Sequence, residues 1–533
     1  MPDVSRPPNA RPLWPAAVPP ALLLQMRRGV EREGLRVQPD GYIAKTPHPA
    51  ALGSALTHPA ITTDYSEALL ELITPPLASI PALMDTLTEL HQLVLQHLPA
   101  GELLWPLSMP CLLDEDEHDI PLAQYGRSAM GQLKTLYRHG LGLRYGRRMQ
   151  TIAGVHYNLS FPVELFRALQ QQEGDAARRL SAREYRDQRY LGLVRNFVRL
   201  TPLVIALLGA SPAVCACFLT GRSHHLQPLS GQKGTLTLPQ ATALRMGNLG
   251  YQNSTQRELG IHYNTLPDYA RALQQATWRP HPPFTALGVD DAHGQPQQIN
   301  DHVLQIENEY YSLIRPKQVT QDGETPVQAL LARGVQYVEL RAVDVDPEQP
   351  TGLSAARAAL LETLALYGLL LPSPVLDRAE EDRILADQRQ VVDRGRDPAL
   401  TLSSGERLQD WMAGHLNAMQ PLAGVLDRAY GGTLYCDSLA RFSTLVTQPE
   451  HWPSARLMQG LQQAGSLWAY GRALAAQHHQ LLQAQPLSGA QQAHWDQVAQ
   501  QSLQAQAALE QASHPEDFVQ LLARYRQTPG ASG

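Results

Sequence analysis

The sequence has few cysteines and no excess of basic residues. Its 533 residues include four cysteines, too few for a disulfide scaffold and typical of a reducing cytoplasm. Lys and Arg number 44 against 50 Asp and Glu, a formal net charge of -6. A nucleic-acid groove needs a basic surplus. We therefore expect a cytoplasmic protein that does not bind nucleic acid.

Long apolar runs are also scarce. Residues 1–20 are proline-rich and lack the apolar core of a signal peptide. Residues 201–221 carry no charge and are long enough to span a bilayer, but Gly209-Ala-Ser-Pro212 at their centre is a turn signal. We expect a buried pair of helices there and no membrane association, with a membrane span as the alternative.

Common phosphate-binding and hydrolytic motifs are missing. The sequence has no GxxxxGK[ST] loop and no GxSxG elbow, and residues 140–146 miss the GxGxxG spacing by one. Cys215-Ala-Cys217 with His224 and His225 could bind zinc, although the spacing matches no usual zinc module. This cysteine pair remains an alternative metal site.

The composition and the predicted secondary structure change along the chain. Residues 1–25 form a loose, Pro-rich lead-in, and residues 26–350 mix alternating strands with helices. Residues 351–526 are mainly helical: a helix over 354–371 ends before prolines, and the stretch from Ala455 is rich in helix formers. Residues 527–533 are expected to be a disordered tail. The prediction is an α+β fold with a helical C-terminal region packed on it.

Acidic residues recur on one face of several predicted strands. In a strand, residues i and i+2 lie on the same face. Residues 150–160 separate an apolar face from a small, polar face with His156, and residues 336–342 place Glu339 beside Arg341. The same parity groups further acids on predicted strands, namely Glu31 with Glu33, Glu67 with Glu71 after Asp64, and Glu307 with Glu309 after Gln305.

Each strand alone could be an ordinary solvated strand, because one-sided polarity is common in antiparallel sheets. Five acidic strands together would repel one another unless a cation lies among them. Oxygen ligands suit Mg²⁺, and carboxylates, Mg²⁺ and arginines together commonly handle nucleotide phosphates. The pattern predicts a curved antiparallel sheet whose concave face holds several Mg²⁺ ions.

Several longer motifs point to a known family. They are GVEREGLR at 29–36, TTDYSEALLE at 62–71, WPLSMP at 105–110, KTLYR at 134–138, GVHYN at 154–158, GASP at 209–212, LRM at 244–246 with LGY at 249–251, QIENE at 305–309, IRPK at 314–317 and VELRAVD at 338–344. In this order they resemble glutamate–cysteine ligase (γ-glutamylcysteine synthetase) of the proteobacterial type. The resemblance covers about residues 27–350 and fades in the C-terminal third.

The resemblance implies the first step of glutathione biosynthesis. ATP, the co-substrate, would phosphorylate the γ-carboxylate of L-glutamate, and the amine of L-cysteine would displace the phosphate to give γ-glutamylcysteine. The implied fold is similar to glutamine synthetase, an antiparallel sheet curved into a funnel and wrapped by helices. The implied metal is Mg²⁺, with Mn²⁺ as a substitute, the expected feedback inhibitor is glutathione, and the expected state is a monomer.

The family's site residues carry over by motif. Arg341 would neutralise the transferring phosphoryl group together with Glu339, Arg138 and Arg341 would contact ATP, and Arg245 would bind the α-carboxylate of glutamate. The implied metal ligands are Glu31, Glu33, Asp64, Glu71, His156 and Glu339, and the implied cysteine pocket is Tyr137, Ile152, Tyr251 and Tyr311.

Two other functions remain open from the sequence. One is a related ligase that joins glutamate or a similar acid to a different amine, which ADP release with cysteine, 2-aminobutyrate, glycine and ammonia would distinguish. The other is a non-catalytic, Mg²⁺-stabilised scaffold with its binding surface in the helical region. Lack of ATP turnover with every amine would favour the scaffold.

Overall fold

The fold is built on two antiparallel sheets. The computed structural model describes residues 13–232, 234–247, 249, 259–321 and 323–527. In this part of the chain the strands are β1 (Arg27–Val37), β2 (Ile61–Thr63), β3 (Leu69–Ile73), β4 (Leu103–Leu104), β5 (Val155–Ser160), β6 (Ala213–Cys215), β7 (Gln227–Pro228), β8 (Thr235–Thr237), β9 (Ile314–Lys317) and β10 (Tyr337–Val343). The large sheet has the order β2-β3-β1-β5-β10-β9, with β4 on β1, and the small sheet the order β6-β8-β7. The predicted α+β class with an antiparallel sheet is confirmed.

Helices lie between the strands along the chain and make up most of it after the last strand. Those before β9 are α1 (Ile80–His97), α2 (Ala129–Tyr145), α3 (Val163–Gln172), α4 (Asp175–Arg178), α5 (Ala182–Leu208), α6 (Leu266–Ala276) and α7 (Pro282–Leu287). Those after it are α8 (Pro326–Arg333), α9 (Ala355–Leu370), α10 (Arg378–Arg394), α11 (Leu408–Tyr430), α12 (Leu434–Val446), α13 (Pro453–Ala464), α14 (Leu467–Gln483), α15 (Gly489–Ala512) and α16 (Pro515–Arg526). The predicted helix over 354–371 and the helices after Ala455 are confirmed.

Strand parity decides which face of the large sheet is buried. On β5 the alternate residues Val155, Tyr157 and Leu159 are 0% exposed, and Val338 and Leu340 on β10 are equally buried. This face packs against α5 and α9 within one hydrophobic core. The alternation is confirmed within β5 and β10, and it leaves the polar face of the sheet away from this core. The strand predicted over 150–160 starts only at Val155, because Gln150 and Thr151 belong to the 3₁₀ helix Arg148–Thr151.

Two of the acidic strands predicted from parity differ in the structure. The run from Asp64 to Glu71 is broken by a turn, in which the Leu69 N–H donates to the Ser66 carbonyl over 3.0 Å, and Glu71 lies on β3. A strand over 305–309 is wrong, because Glu307–Glu309 is a 3₁₀ helix. Glu307 accepts the Val327 N–H over 2.7 Å at the start of α8. Polar alternation alone cannot separate a strand face from acids that bond to helices elsewhere in the chain.

The uncharged segment 201–221 is buried, but it is not a pair of helices. Its first part ends α5, and after the turn at Gly209 it forms β6 and a short 3₁₀ helix, Ala216–Leu219. The residues after Pro212 do not continue as a helix, because Ala213–Cys215 pairs with Thr235–Thr237 in the small sheet. Among the described residues, α5 is the one helix long and apolar enough to span a membrane, and 94% of its apolar window is buried inside the protein.

The helical region shares the core with the sheet. Buried side chains from β1, α5, α9, α11 and α12 form one continuous cluster, and a smaller one joins α1 to Leu482 and Trp495. Residues 13–25 are not loose, because Val18 and Leu23 are buried in the main core. Residues 1–12 and the predicted tail at 528–533 lie outside the described residues. The boundaries at 25/26 and 350/351 stay predictions.

Candidate active site

Strand register brings the acidic residues together on the polar face of the large sheet. On β1, Glu31 lies opposite His156 of β5 and Glu33 lies opposite Glu71 of β3. On β10, Glu339 lies opposite Asn158 on one side and Arg315 of β9 on the other. The five neighbouring strands β3, β1, β5, β10 and β9 therefore contribute side chains to one surface.

A carboxylate–imidazole cluster lies at the centre of this surface. His156 Nδ1 is 3.1 Å from Glu31 Oε2, and the Asn158 amide donates to Glu31 Oε1 over 2.9 Å. The Gly154 N–H donates to Glu33 Oε2 over 2.7 Å. Glu31, Glu71 and His156 form the one group among the described residues whose His, Cys, Asp or Glu ligand atoms lie within 4.8 Å of one another. The register thus brings together a candidate cation-binding group.

The electrostatic balance changes across the sheet. Burial, followed by repulsion from Glu31 and Asp64, raises the pKa of Glu71 well above its ordinary value. Burial would also raise the pKa of Glu339, but Lys317 and Arg341 hold it well below the usual range. Negative charge is therefore in surplus near β3 and compensated near β9 and β10.

The residues present fit a hard divalent cation. Glu339 Oε2 is buried and accepts no hydrogen bond from the described residues, although Lys317 Nζ lies 3.4 Å away. Carboxylate oxygens with one imidazole are a donor set suited to Mg²⁺ or Mn²⁺. The zinc alternative gains no support, because the cluster of possible ligands found in the described residues contains no cysteine and His225 pairs instead with Asp393 over 3.5 Å.

A pocket of about 180 Å³ opens beside this cluster. Glu31, Glu71 and Glu339 lie next to it on the same face of the sheet, and Tyr251 lies outside the described residues. The predicted site residues that line the pocket are Glu33, Asp64, Tyr137, Arg138, Ile152, His156, Arg245, Tyr311 and Arg341. Metal-type ligands, arginines and tyrosines that are distant in sequence thus share one cavity.

Arg341 lies between the cluster and the pocket. Its Nη1 donates to Glu339 Oε1 over 2.8 Å and lies 3.4 Å from His156 Nδ1. Burial acts to lower the pKa of Arg341, but the nearby carboxylates of Glu339 and Glu33 raise it above the ordinary value. Its Nε is buried and has no hydrogen-bond partner in the part of the chain that the structure describes. The side chain is a fixed cation with a donor still unused.

Arg245 is held at the pocket wall by the end of β10 and the turn after α5. Its Nη1 lies 3.4 Å from Asp344 Oδ1, and its Nη2 donates to the Arg341 carbonyl over 3.2 Å. Asp344 also accepts the Ser211 hydroxyl over 2.6 Å. A Cβ at Gly154 would lie 2.1 Å from Arg245 Nη2. Glycine is therefore required at 154 for this arginine position.

The remaining wall comes from α2 and two short 3₁₀ segments. Arg138 donates from Nε to the Asp64 carbonyl, and its guanidinium carbon lies 4.5 Å from the Tyr125 ring centroid. Burial raises the pKa of Tyr137. Ile152 and Tyr311 follow the 3₁₀ helices Arg148–Thr151 and Glu307–Glu309. The wall is mixed, with aromatic and apolar surface next to cations.

Sequence reasoning assigned no role to two basic residues on β9. Arg315 lines the pocket, and Lys317 lies 3.4 Å from Glu339. Both lie in the IRPK motif at the two-residue spacing of a shared strand face. Applying parity to cations as well as acids would have found them.

Known proteins resemble this chain over most of its length. The sequence profile of the glutamate–cysteine ligase family matches residues 16–391. A glutamate–cysteine ligase of Azotobacter vinelandii is 46% identical over 505 residues, which cover 94% of each chain. That of Alcanivorax borkumensis is 45% identical over 515 residues, which cover 95% of this chain and 96% of the relative.

Solved structures agree with the sequence matches. A glutamate–cysteine ligase of Francisella tularensis in complex with AMP has a TM-score of 0.87 at 31% identity, covering 94% of this chain and 97% of its own. A bifunctional glutathione synthetase of Pasteurella multocida has a TM-score of 0.70 at 26% identity, covering 90% of this chain and 57% of its own. From its sequence matches and the shared fold, the chain belongs to the glutamate–cysteine ligase family of enzymes.

Proposed function

We propose that this enzyme joins the γ-carboxylate of L-glutamate to the amine of L-cysteine, with ATP as co-substrate, through a γ-glutamyl phosphate. The products are γ-glutamylcysteine, ADP and phosphate, the first step of glutathione biosynthesis. The observation that carries the proposal is the meeting of the carboxylate–histidine cluster with Arg341 and Arg245 at one pocket. The names of the relatives and the AMP bound to the Francisella protein support it.

The chemistry explains why cations and a dry pocket are needed. An amine cannot displace oxide from a carboxylate, so one γ-oxygen must first become part of a phosphate leaving group. Phosphoryl transfer spreads negative charge over the transferring group, and prearranged cations stabilise this charge. Arg341, held by Glu339, would do so, and Arg138 would bind the nucleotide.

Glu31, Glu33, Asp64, Glu71, His156 and Glu339 would hold the divalent cations. When bound, Mg²⁺ or Mn²⁺ supplies positive charge that neutralises the terminal phosphates of ATP. Glu31 and Glu33 are oriented for this role by hydrogen bonds from Asn158 and from the Gly154 backbone. The protein thus fixes its ligand oxygens before any substrate arrives.

Arg245 would bind the α-carboxylate of glutamate. Its guanidinium is directed by Asp344 and by the Arg341 carbonyl. The cysteine pocket would be the mixed wall of Tyr137, Ile152 and Tyr311, completed by Tyr251. An apolar wall also keeps water away from the acyl phosphate until the amine attacks.

The wider setting belongs to the same proposal. We propose a cytoplasmic monomer that glutathione inhibits by overlapping the substrate pockets. The large antiparallel sheet would form the floor of a funnel similar to that of glutamine synthetase. Size-exclusion chromatography with light scattering tests the monomer, and competition of glutathione against glutamate tests the inhibition.

Isotope transfer tests the mechanism directly. With glutamate labelled by ¹⁸O in its γ-carboxylate, each phosphate released in the presence of ATP, Mg²⁺ and cysteine should carry one labelled oxygen. Mass spectrometry of the phosphate and the peptide measures this. A reaction without cysteine is the control for hydrolysis. Unlabelled phosphate, or label in AMP, would contradict activation by γ-phosphoryl transfer.

A further inference from the structure

The Cys215-Ala-Cys217 segment is used neither by the proposed reaction nor by a metal site. The four cysteines are free thiols, and Cys215 and Cys217 are each only partly buried. Their sulfur atoms lie 2.6 Å apart, in direct contact. Two partly buried thiols in contact meet the first requirement for a disulfide, since no movement of distant backbone is needed to join them.

The contact between the two thiols is directional, because the Cys217 thiol donates and the Cys215 sulfur accepts. A hydrogen bond from the Cys217 thiol lowers the pKa of Cys215, whereas the same bond and burial raise the pKa of Cys217. The thiolate is the nucleophile in thiol–disulfide exchange. Cys215 is therefore the attacking sulfur and Cys217 the resolving one. Cys111 lies nearby but is only 1% exposed, which keeps it from a reagent in solution.

The backbone around the pair connects it to the active-site pocket. Cys215 ends β6, where it pairs with Thr235, and Cys217 lies in the 3₁₀ helix Ala216–Leu219. The Cys217 carbonyl accepts a hydrogen bond from Arg148 Nη1 over 2.9 Å. Closing a ring between the two cysteines constrains the backbone that carries this carbonyl.

Arg148 links the Cys217 carbonyl to the pocket wall. Its guanidinium is buried and also donates to the Glu115 carbonyl, and its own carbonyl accepts the Thr151 hydroxyl over 2.6 Å. Arg148 begins the 3₁₀ helix Arg148–Thr151, which contains the pocket residues Met149 and Gln150 and leads directly into Ile152. The thiol pair is thus one buried side chain away from the wall proposed to receive the acceptor amine.

We propose that Cys215 and Cys217 form a modification site that low-molecular-weight disulfides oxidise, and that the resulting disulfide weakens binding of the acceptor amino acid. The effect on binding rests on the proposed function, whereas formation of the disulfide does not. The Cys215 thiolate attacks one sulfur of RSSR and releases the first RS⁻. Cys217 then loses its proton, and its sulfur displaces the second RS⁻ from Cys215. The sum is two protein thiols and RSSR giving one protein disulfide and two RSH.

Mass spectrometry of the full-length protein tests the modification. After treatment with 2-hydroxyethyl disulfide, a small neutral reagent unlike the substrates, the peptide that contains both cysteines should lose two hydrogen masses. Cys217→Ser should stop at a mixed disulfide, and Cys436→Ser, which changes a cysteine on α12, should behave like the wild type. No internal disulfide, or one that joins Cys111 to Cys217, would overturn the assignment.

Steady-state kinetics test the coupling to the pocket. With 2-aminobutyrate as a non-thiol acceptor, oxidation should raise its KM on the order of tenfold, as a small displacement of a pocket wall does, and dithiothreitol should restore it. The KM for glutamate should change less, and Cys217→Ser should show no rise. A disulfide that leaves the acceptor KM unchanged would overturn the coupling. Absence of ADP formation by the reduced enzyme would instead contradict the proposed function, and the mass measurement would still decide the modification.

Discussion

The two faces of the large sheet each contact carboxylates, and these carboxylates differ in how completely the described residues satisfy them. On the buried face, Glu362 of α9 accepts two hydrogen bonds from Arg28 of β1, at 2.7 and 3.0 Å, with both side chains 0% exposed. The Tyr157 and Tyr435 hydroxyls donate to the same carboxylate over 2.7 and 2.6 Å. Each of the two Glu362 oxygens therefore accepts two hydrogen bonds from other side chains of the protein.

The polar face leaves its charge unbalanced. Glu71 accepts no hydrogen bond from any described residue, and repulsion from Glu31 and Asp64 adds to its raised pKa. A network in which every buried charge is hydrogen-bonded stabilises the fold. A network that leaves like charges unpaired is electrostatically unfavourable, and binding of an opposite charge relieves this repulsion. The comparison teaches that surplus charge, rather than charge as such, distinguishes a binding site.

Removing Arg28 should have the largest effect on stability. Arg28→Met leaves Glu362 buried without its cation, so the free energy of unfolding should fall by about 3–5 kcal/mol. Chemical denaturation monitored by circular dichroism measures it. The double variant Arg28→Met/Glu362→Leu is the control and should regain much of the loss. If Arg28→Met were as stable as the wild type, the Arg28–Glu362 pair would not stabilise the buried face as inferred.

Changing Arg341 should affect turnover instead of stability. Arg341→Lys keeps the charge but loses the planar fork that spans two phosphate oxygens. We expect kcat to fall on the order of 10²-fold, with Tm close to that of the wild type. Arg315→Lys, on the neighbouring strand, is the matched comparison. A loss confined to the KM for cysteine would place Arg341 in the acceptor pocket.

A methyl group at position 154 should act on glutamate binding. In Gly154→Ala the new Cβ meets the Arg245 guanidinium, which must move away from Asp344. The KM for glutamate should rise on the order of tenfold, while the KM for ATP changes little. Initial rates with each substrate varied in turn measure this. Equal rises for all substrates would indicate general damage to the sheet.

Glu71 should give the smallest effect, visible in the metal-free enzyme. Its raised pKa means that the folded state binds a proton more tightly than the unfolded state. This group therefore destabilises the fold above the ordinary pKa of about 4.5, and the penalty fades as pH falls through the raised folded value. Glu71→Gln should raise Tm by about 1–2 °C at neutral pH and show no such gain near pH 4.5.

Differential scanning fluorimetry with chelator measures the difference between Glu71→Gln and the wild type, so that other groups cancel. Added Mg²⁺ should stabilise the wild type more than the variant. A Tm difference that stays constant from neutral pH to pH 4.5 would contradict the repulsion inferred at this residue.

Parity predicted the parts of the site that lie on long strands. His156, Glu339 and Arg341 could be placed because a strand's side-chain period is fixed by the backbone. Glu307 and Glu309 were misplaced because their partners, Val327 and Arg144, lie on helices that a local pattern does not include. The two-residue spacing of Glu307 and Glu309 is visible in the sequence, but the groups that bond to their carboxylates are not.

The side chains of the buried face were also difficult to predict, because their partners are distant in the sequence. Arg28 and Arg32 alternate with Glu31 and Glu33, and parity alone gives no reason to bury arginines. The structure buries Arg28 because Glu362, 334 residues later, completes its bonds. Ile152 and Tyr311 share the pocket only through the path of intervening loops. Their placement in the site therefore came from the family resemblance rather than from local pattern.

The bond between Arg28 and Glu362 also has a consequence for protein synthesis. At about 5–20 residues per second, the ribosome needs roughly 15–70 s to make the intervening 334 residues. During this time β1 has left the ribosome, but the carboxylate that neutralises Arg28 does not yet exist. A chain stopped after residue 350 would keep the strands that carry the acidic cluster and lack α9. We expect such a nascent chain to stay incompletely packed until α9 emerges, which makes completion of the catalytic sheet a late event in translation.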